Sequence, residues 1–319
     1  MSSRVVQRWA IALAGVAAVM VTTLGGGAVG AAATAAAPAA DAYAIKLNRP
    51  LRVGDKFAFT ADAAFVQTLT ADLSGGQTRT LQPLSLSVHF DGTEEILAVG
   101  PRGEPTRAAY TVAACTAREG KQQVAVVQPG HVVTVDAGKW KSQMDVDQGA
   151  FTIQDDFFAR MVLSLPNLGH VGDDECFGSD KPQKVGDAWP ARPDPLVQSF
   201  ASAPGMKVKK QNVSGTIKLA GLEAVDGVPC LRVQGKIKVE HFLPPATDLP
   251  ERSKAQDATY EYKFPRLITA DPAGPCLSDS HSTTLLLKLR LDDPTLGSDI
   301  VVNGKLLRTV GIKRRPVPG

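Results

Sequence analysis

Along most of the chain, apolar and polar residues alternate one by one, the period of a strand with one face in a core. From Pro229 to Phe242, Leu231, Val233, Ile237 and Val239 fall on one side, and Arg232, Gln234, Lys236, Lys238 and Glu240 on the other. Thr283 to Leu291 repeats the pattern, with Leu285, Leu287, Leu289 and Leu291 opposed to Thr284, Lys288 and Arg290. The same reasoning predicts strands over Lys56–Leu73, Ser85–His89, Glu95–Val99, Ala108–Ala114, Gln122–Val127, Val132–Val135, Val213–Val225 and Ala258–Phe264. Turn chemistry punctuates them at Asp91-Gly92, Pro101-Arg102-Gly103, Pro129-Gly130 and Asp226-Gly227. A last hairpin, Ile300 to Ile312, is expected to turn at Asn303-Gly304.

One segment changes period. Phe157, Phe158, Met161, Val162 and Leu165 share a helical face, with Asp155 and Asp156 placed to cap the start and Pro166 to stop the end. This helix is expected to lie on the sheet, where those five side chains would line a groove. The expected organisation is a leader and small-residue linker over 1–42, then a first β-rich half over 43–166 that ends in the helix. A connecting loop over 167–195 and a second β-rich half over 196–319 follow. The halves share an echo: Val53-Gly54-Asp55 and Val185-Gly186-Asp187 each precede an aromatic residue and a strand-rich region. The fold class is mainly β: a curved antiparallel sheet, half-barrel or sandwich, in two related halves with one short central helix.

The leader has the three-part layout of a secretory signal peptide. Arg4 and Arg8 precede an apolar run from Trp9 to Leu24, and small residues reach Ala42 with several sites open to cleavage. An uncleaved anchor is the alternative, although the run is short for a span of about 20 residues. The mature chain is expected to be exported, periplasmic or extracellular, with no transmembrane segment after signal removal. The leader also inflates the 44% apolar content. Of the whole chain's charges, 35 are basic and 32 acidic, so there is no electrostatic excess for nucleic acid.

All four cysteines, Cys115, Cys176, Cys230 and Cys276, lie beyond the leader, and none forms a C-x-x-C pair. Export makes two disulfides the expectation. Three connectivities are open, with Cys115–Cys176 and Cys230–Cys276 preferred because each stays within one half.

The opening Arg52-Val53-Gly54-Asp55-Lys56-Phe57, then Cys176-Phe177-Gly178, Lys184 to Trp189 and Ala224 to Val233, resemble in spacing an uncharacterised family of secreted bacterial proteins. The resemblance implies the half-barrel architecture of the lipoprotein-carrier (LolA/LolB-like) group and supplies no active-site residues.

Chemical motifs are few. Leu73-Ser74-Gly75-Gly76-Gln77 spells the signature of ABC-transporter ATPases, yet the chain has no phosphate-binding loop, so the reading is a hairpin turn and no nucleotide is expected. Asp145-Val146-Asp147-Gln148-Gly149 lacks the closing Glu of a calcium loop, and His170, Asp173, Asp174, Glu175 and Cys176 read as a solvated acidic loop. Asp279-Ser280-His281-Ser282 gathers triad residue types, but neighbours on a strand point to opposite faces. Lys313-Arg314-Arg315 reads as a solvated basic tail. No catalytic residue, cofactor or metal is assigned. The expected function is non-enzymatic, with a lipid, another hydrophobic ligand or an envelope protein as partner; the alternative is a secreted hydrolase without a local motif.

Overall fold

The computed structural model describes residues 42–72, 76–139, 141–147, 149–201, 207–244, 253–291 and 300–317. The leader up to residue 41 and Leu73-Ser74-Gly75 of the expected turn lie outside them.

Thirteen described strands form one open antiparallel sheet. They are β1 (Lys56–Asp72), β2 (Thr78–Thr80), β3 (Leu84–Val99), β4 (Pro105–Glu119), β5 (Gln122–Val127), β6 (Val132–Asp136), β7 (Gln143–Val146), β8 (Ala188–Pro190), β9 (Val213–Val225), β10 (Val228–Val239), β11 (Ser253–Thr269), β12 (Cys276–Leu291) and β13 (Ile300–Pro316). The order across the sheet is β7-β6-β4-β3-β1-β13-β12-β11-β10-β9-β8, with β2 paired to β1 and β5 to β4. The last long strand therefore closes onto the first, pairing from Phe57↔Pro316 to Asp72↔Val301, so one sheet runs through both halves of the chain.

The alternation decides which face is inside. Phe57, Phe59, Phe65 and Leu69 of β1 are buried on the face that carries Val302, Leu306 and Val310 of β13 and Leu285, Leu287 and Leu289 of β12. The half-wet strand expected at Leu231–Val239 is β10, with its predicted apolar side buried. Its hairpin with β9 turns at Asp226 (φ 50°) and Gly227 (φ 80°), the double positive φ that Asp-Gly supplies readily.

Two predicted turns are strand interior instead. β3 runs through Asp91-Gly92, where the register with β4 slips by one residue. A Cβ on Gly92 would stand 2.1 Å from the Thr111 carbonyl oxygen, so glycine there permits a close strand approach. β13 runs through Asn303-Gly304 without a hairpin, because β1 and β12 pair it on both sides and the buried series Val302, Gly304, Leu306 keeps its period of two.

Among the described residues three short α-helices pack on the inner face. The expected helix is α1 (Ile153–Val162), capped by Thr152, whose Oγ1 accepts from the Asp155 N–H at 3.1 Å. It leaves helical geometry at Leu163, so Leu165 reaches the core from extended chain. The segment read as a connecting loop contains α2 (Asp173–Phe177) and β8, and leads into α3 (Pro193–Ala201).

The Val-Gly-Asp echo is a repeated structure. Gly54 and Gly186 have φ of 91° and 97°. Asp55 and Asp187 each accept, at 2.8 Å, the N–H of the residue three before, Arg52 and Lys184. The Gly54 N–H bonds the Ile96 carbonyl of β3, and the Gly186 N–H bonds the Leu219 carbonyl of β9, both at 2.8 Å. The same turn thus docks β1 and β8 onto their neighbours.

Candidate functional site

The five helix-face residues do not line an opening. Phe158, Met161, Val162 and Leu165 are buried in the core and Phe157 packs against it, so helix and sheet fill one another. Two shallow depressions, of about 300 and 370 Å³, lie on the outer face of the sheet, around Asp62 and His89 and around Thr68 and Lys288.

The cysteines are four buried free thiols, which corrects the disulfide expectation. Cys230 pairs in register with Thr269 and Cys276 with Ile268, so the two stand on opposite sides of β11. Two strand spacings come to about 9–10 Å, beyond the roughly 7 Å limit for bridging Cα atoms. Cys115 sits on β4 between Phe90 and Val127, whereas Cys176 lies in α2 near Arg192 and Arg266.

The acidic cluster after His170 disperses. Asp173 accepts from Arg266 at 2.6 Å, Asp174 from the Leu47 N–H at 2.6 Å, and Glu175 lies 3.5 Å from Arg102. The His170 ring bonds the Asn167 carbonyl at 2.8 Å. Among the described residues no group of three His, Cys, Asp or Glu side chains is placed to hold a metal ion. Asp279 and His281 point inward while Ser280 and Ser282 alternate away from them, so the triad residue types are separated by the sheet. Lys313-Arg314-Arg315 belongs to β13, where Arg314 is buried and only its neighbours face solvent.

What the inner face does hold is a band of polar side chains crossing adjacent strands: Tyr110, Glu94, Gln67, Arg308 and Arg314, Asp279, His281 and Thr283, then Tyr260, Tyr262 and Arg266. The sequence reading misses most of it. The available signal is parity: Arg308 stands between Leu306 and Val310, Arg266 between Phe264 and Ile268, and Gln67 between Phe65 and Leu69, each at an inward position.

The two ends of the band carry ion pairs, although Arg266 Nε and Nη2 and one oxygen each of Asp173 and Asp279 make no hydrogen bond. Arg314 Nε lies 2.5 Å and Nη2 3.1 Å from the Glu94 carboxylate, which also accepts from Tyr110 OH at 2.8 Å. Burial, then Glu94, raises the Tyr110 pKa well above its ordinary value. At the other end Arg266 bridges Asp173 and Asp279 at 2.6 and 3.1 Å, tying α2 to the sheet. Burial opposes the Arg266 charge, yet Asp173 and Asp279 hold its pKa well above the usual value.

The middle is not satisfied. Arg308 donates to the Met161 carbonyl at 3.0 Å, and its Nε has no partner. Both amide atoms of Gln67, the hydroxyls of Tyr260 and Tyr262, and both ring nitrogens of His281 are buried without a hydrogen bond. Burial depresses the His281 pKa to about 4, so the ring is neutral at pH 7. Burial lowers the Arg308 pKa to about 10, so that group stays a cation. Buried polar atoms are paired in the great majority of cases, so the middle of the band is the least satisfied part of the interior.

No family model matches the chain, and no curated protein matches it. Among solved structures it is similar to lipovitellin, in a structure of lipid–protein interactions, at 9% identity and a TM-score of 0.32, over 84% of this chain and 26% of that one. The chain therefore spans about a quarter of the lipovitellin chain. It is also similar to a loop-deletion mutant of OmpT, an outer membrane protein of Vibrio cholerae, at 10% identity and a TM-score of 0.19, over 79% and 99% of the two chains. Likenesses of this size carry no functional argument. Among the described residues no helix is long and apolar enough to cross a membrane.

Proposed function

We propose that this is an exported, non-enzymatic binding protein that takes a hydrophobic ligand against the inner face of its sheet, in the manner of a lipid carrier. The observation that carries the reading is the unsatisfied polar band in an otherwise apolar interior. A core that only had to fold would leave Gln67, Tyr260, Tyr262 and His281 without cost only if they were apolar, since each buried orphan costs about 1–3 kcal/mol. A guest with a polar end and an apolar body satisfies those atoms and keeps the apolar surroundings dry. The inward carboxylates do not favour hydrolysis: Glu94, Asp173 and Asp279 are each committed to an arginine.

Native mass spectrometry of the full chain, purified without detergent, tests the reading, followed by titration of the extracted protein with an environment-sensitive apolar dye. A one-to-one apolar adduct, or saturable dye uptake at one site, is expected. Absence of both overturns it.

A further inference from the structure

The repeated turn holds more than Val-Gly-Asp. In both copies a cation precedes it, giving Arg52-Val53-Gly54-Asp55 and Lys184-Val185-Gly186-Asp187. The fold explains the glycine and the aspartate, since one supplies positive φ and the other accepts the N–H of the cationic residue. It does not explain the cation or the valine. Among the described residues no hydrogen bond or ion pair engages the Arg52 guanidinium or the Lys184 ammonium, and both residues are exposed. Val53 is 64% exposed and Val185 48%. Surface turns favour small polar residues, and an exposed valine adds nothing to folding. One exposed apolar residue is ordinary, but the same residue exposed in two copies of one turn points to a contact outside the chain.

Both turns stand at one end of the sheet. Between β1 and β8 lie β13, β12, β11, β10 and β9, and every neighbouring pair is antiparallel. Six reversals return β8 to the direction of β1, so the two strands begin at the same end. Leu97 near the end of β3, Leu222 near the end of β9 and Val317 just past β13 belong to that end as well. Ten large apolar side chains are exposed among the described residues, and these five share one end.

A cation beside an exposed apolar side chain suits the surface of an anionic bilayer, where the charge stays with the phosphates and the apolar group reaches the acyl boundary. The two turns carry this chemistry about 30 Å apart, counted as six strand spacings. A bilayer offers the same chemistry at both places, whereas a folded partner would have to repeat its own site at that distance. We propose that this end of the sheet docks on an anionic lipid bilayer through the Arg52-Val53 and Lys184-Val185 turns. The docking does not depend on the ligand-binding reading above, and its test is separate.

The full chain with one added cysteine tests the proposal, because the four native thiols are buried. Val53→Cys, Val185→Cys and a control, Lys305→Cys, exposed toward the other end of β13, are each labelled with an environment-sensitive fluorophore. Vesicles of phosphatidylcholine with phosphatidylglycerol, or of phosphatidylcholine alone, are then added. A blue shift is expected at 53 and 185 with the anionic vesicles, and none at 305. Each cation at an anionic surface is worth about a factor of five, so Arg52→Glu with Lys184→Glu should weaken vesicle binding at least about tenfold. Val53→Ser with Val185→Ser should weaken it while leaving the circular dichroism unchanged, since both side chains are exposed. A shift at 53 without one at 185 would reflect the nearby leader and overturns the proposal. So does no shift at either turn, an equal shift at all three positions, an equal response to neutral vesicles, or binding that both double variants retain.

Discussion

Each of the four cysteines takes its chemistry from the position it occupies. Burial pushes the Cys115 thiol up to about 12 and Cys276 up to about 11, and raises Cys176 and Cys230 as well. The thiolate is the reactive form, so all four should be inert in the folded protein. Thiol titration without reductant should find almost none reactive in the native state and four after denaturation; two disulfides would leave none in either state. His281 carries the pH dependence of the interior. Its folded pKa of about 4 lies below the ordinary 6.5, so the unfolded chain binds the proton first as pH falls. The stability this neutral ring allows is complete above about pH 6.5 and is lost on the way down to pH 4, by about 3 kcal/mol in all. Urea denaturation at pH 7 and pH 4.5 should show a smaller acid loss in His281→Gln than in the wild type. Equal losses would mean that His281 is not the group responsible.

At the scale of elements, the repeated Val-Gly-Asp turn joins sequence to structure most directly. Gly54 and Gly186 both need positive φ, and both have open space where a Cβ would be. Alanine there should cost about 1–2 kcal/mol through the backbone alone. Gly221, also with open space but without positive φ, provides the control. Denaturation midpoints should fall for Gly54→Ala and Gly186→Ala and stay nearly unchanged for Gly221→Ala; three equal effects would refute the turn argument. The alternating strands and the Asp226-Gly227 hairpin were legible because a two-residue period and a double positive φ are local properties. Asn303-Gly304 was misleading because pairing from β1 and β12 on both sides outweighs a local turn preference. The polar band was hidden for the same reason. A lone Arg, Gln or Tyr in a strand is ordinary in sequence, and only pairing across β1, β11, β12 and β13 brings Gln67, Tyr260 and Arg308 together.

For the whole molecule, the pairing of β1 with β13 is the long-range joint. It brings residues 56–72 against 300–316, and the Arg314–Glu94 bond pins the same place from within. Glu94→Ala would leave Arg314 buried and unanswered, and should destabilise the protein by about 3–5 kcal/mol, read from chemical denaturation. A loss below 1 kcal/mol would show that water reaches the pair. Arg308 should behave in the opposite way, because the folded chain gives it no carboxylate to lose. A crystal structure of the full chain, purified without detergent or added lipid, puts the binding reading to the most direct test. Continuous elongated density against the inner face of the sheet is expected, with a polar end within hydrogen-bond distance of the unsatisfied middle of the polar band. Clean absence of such density, together with no apolar adduct in native mass spectrometry of the same preparation, would contradict it.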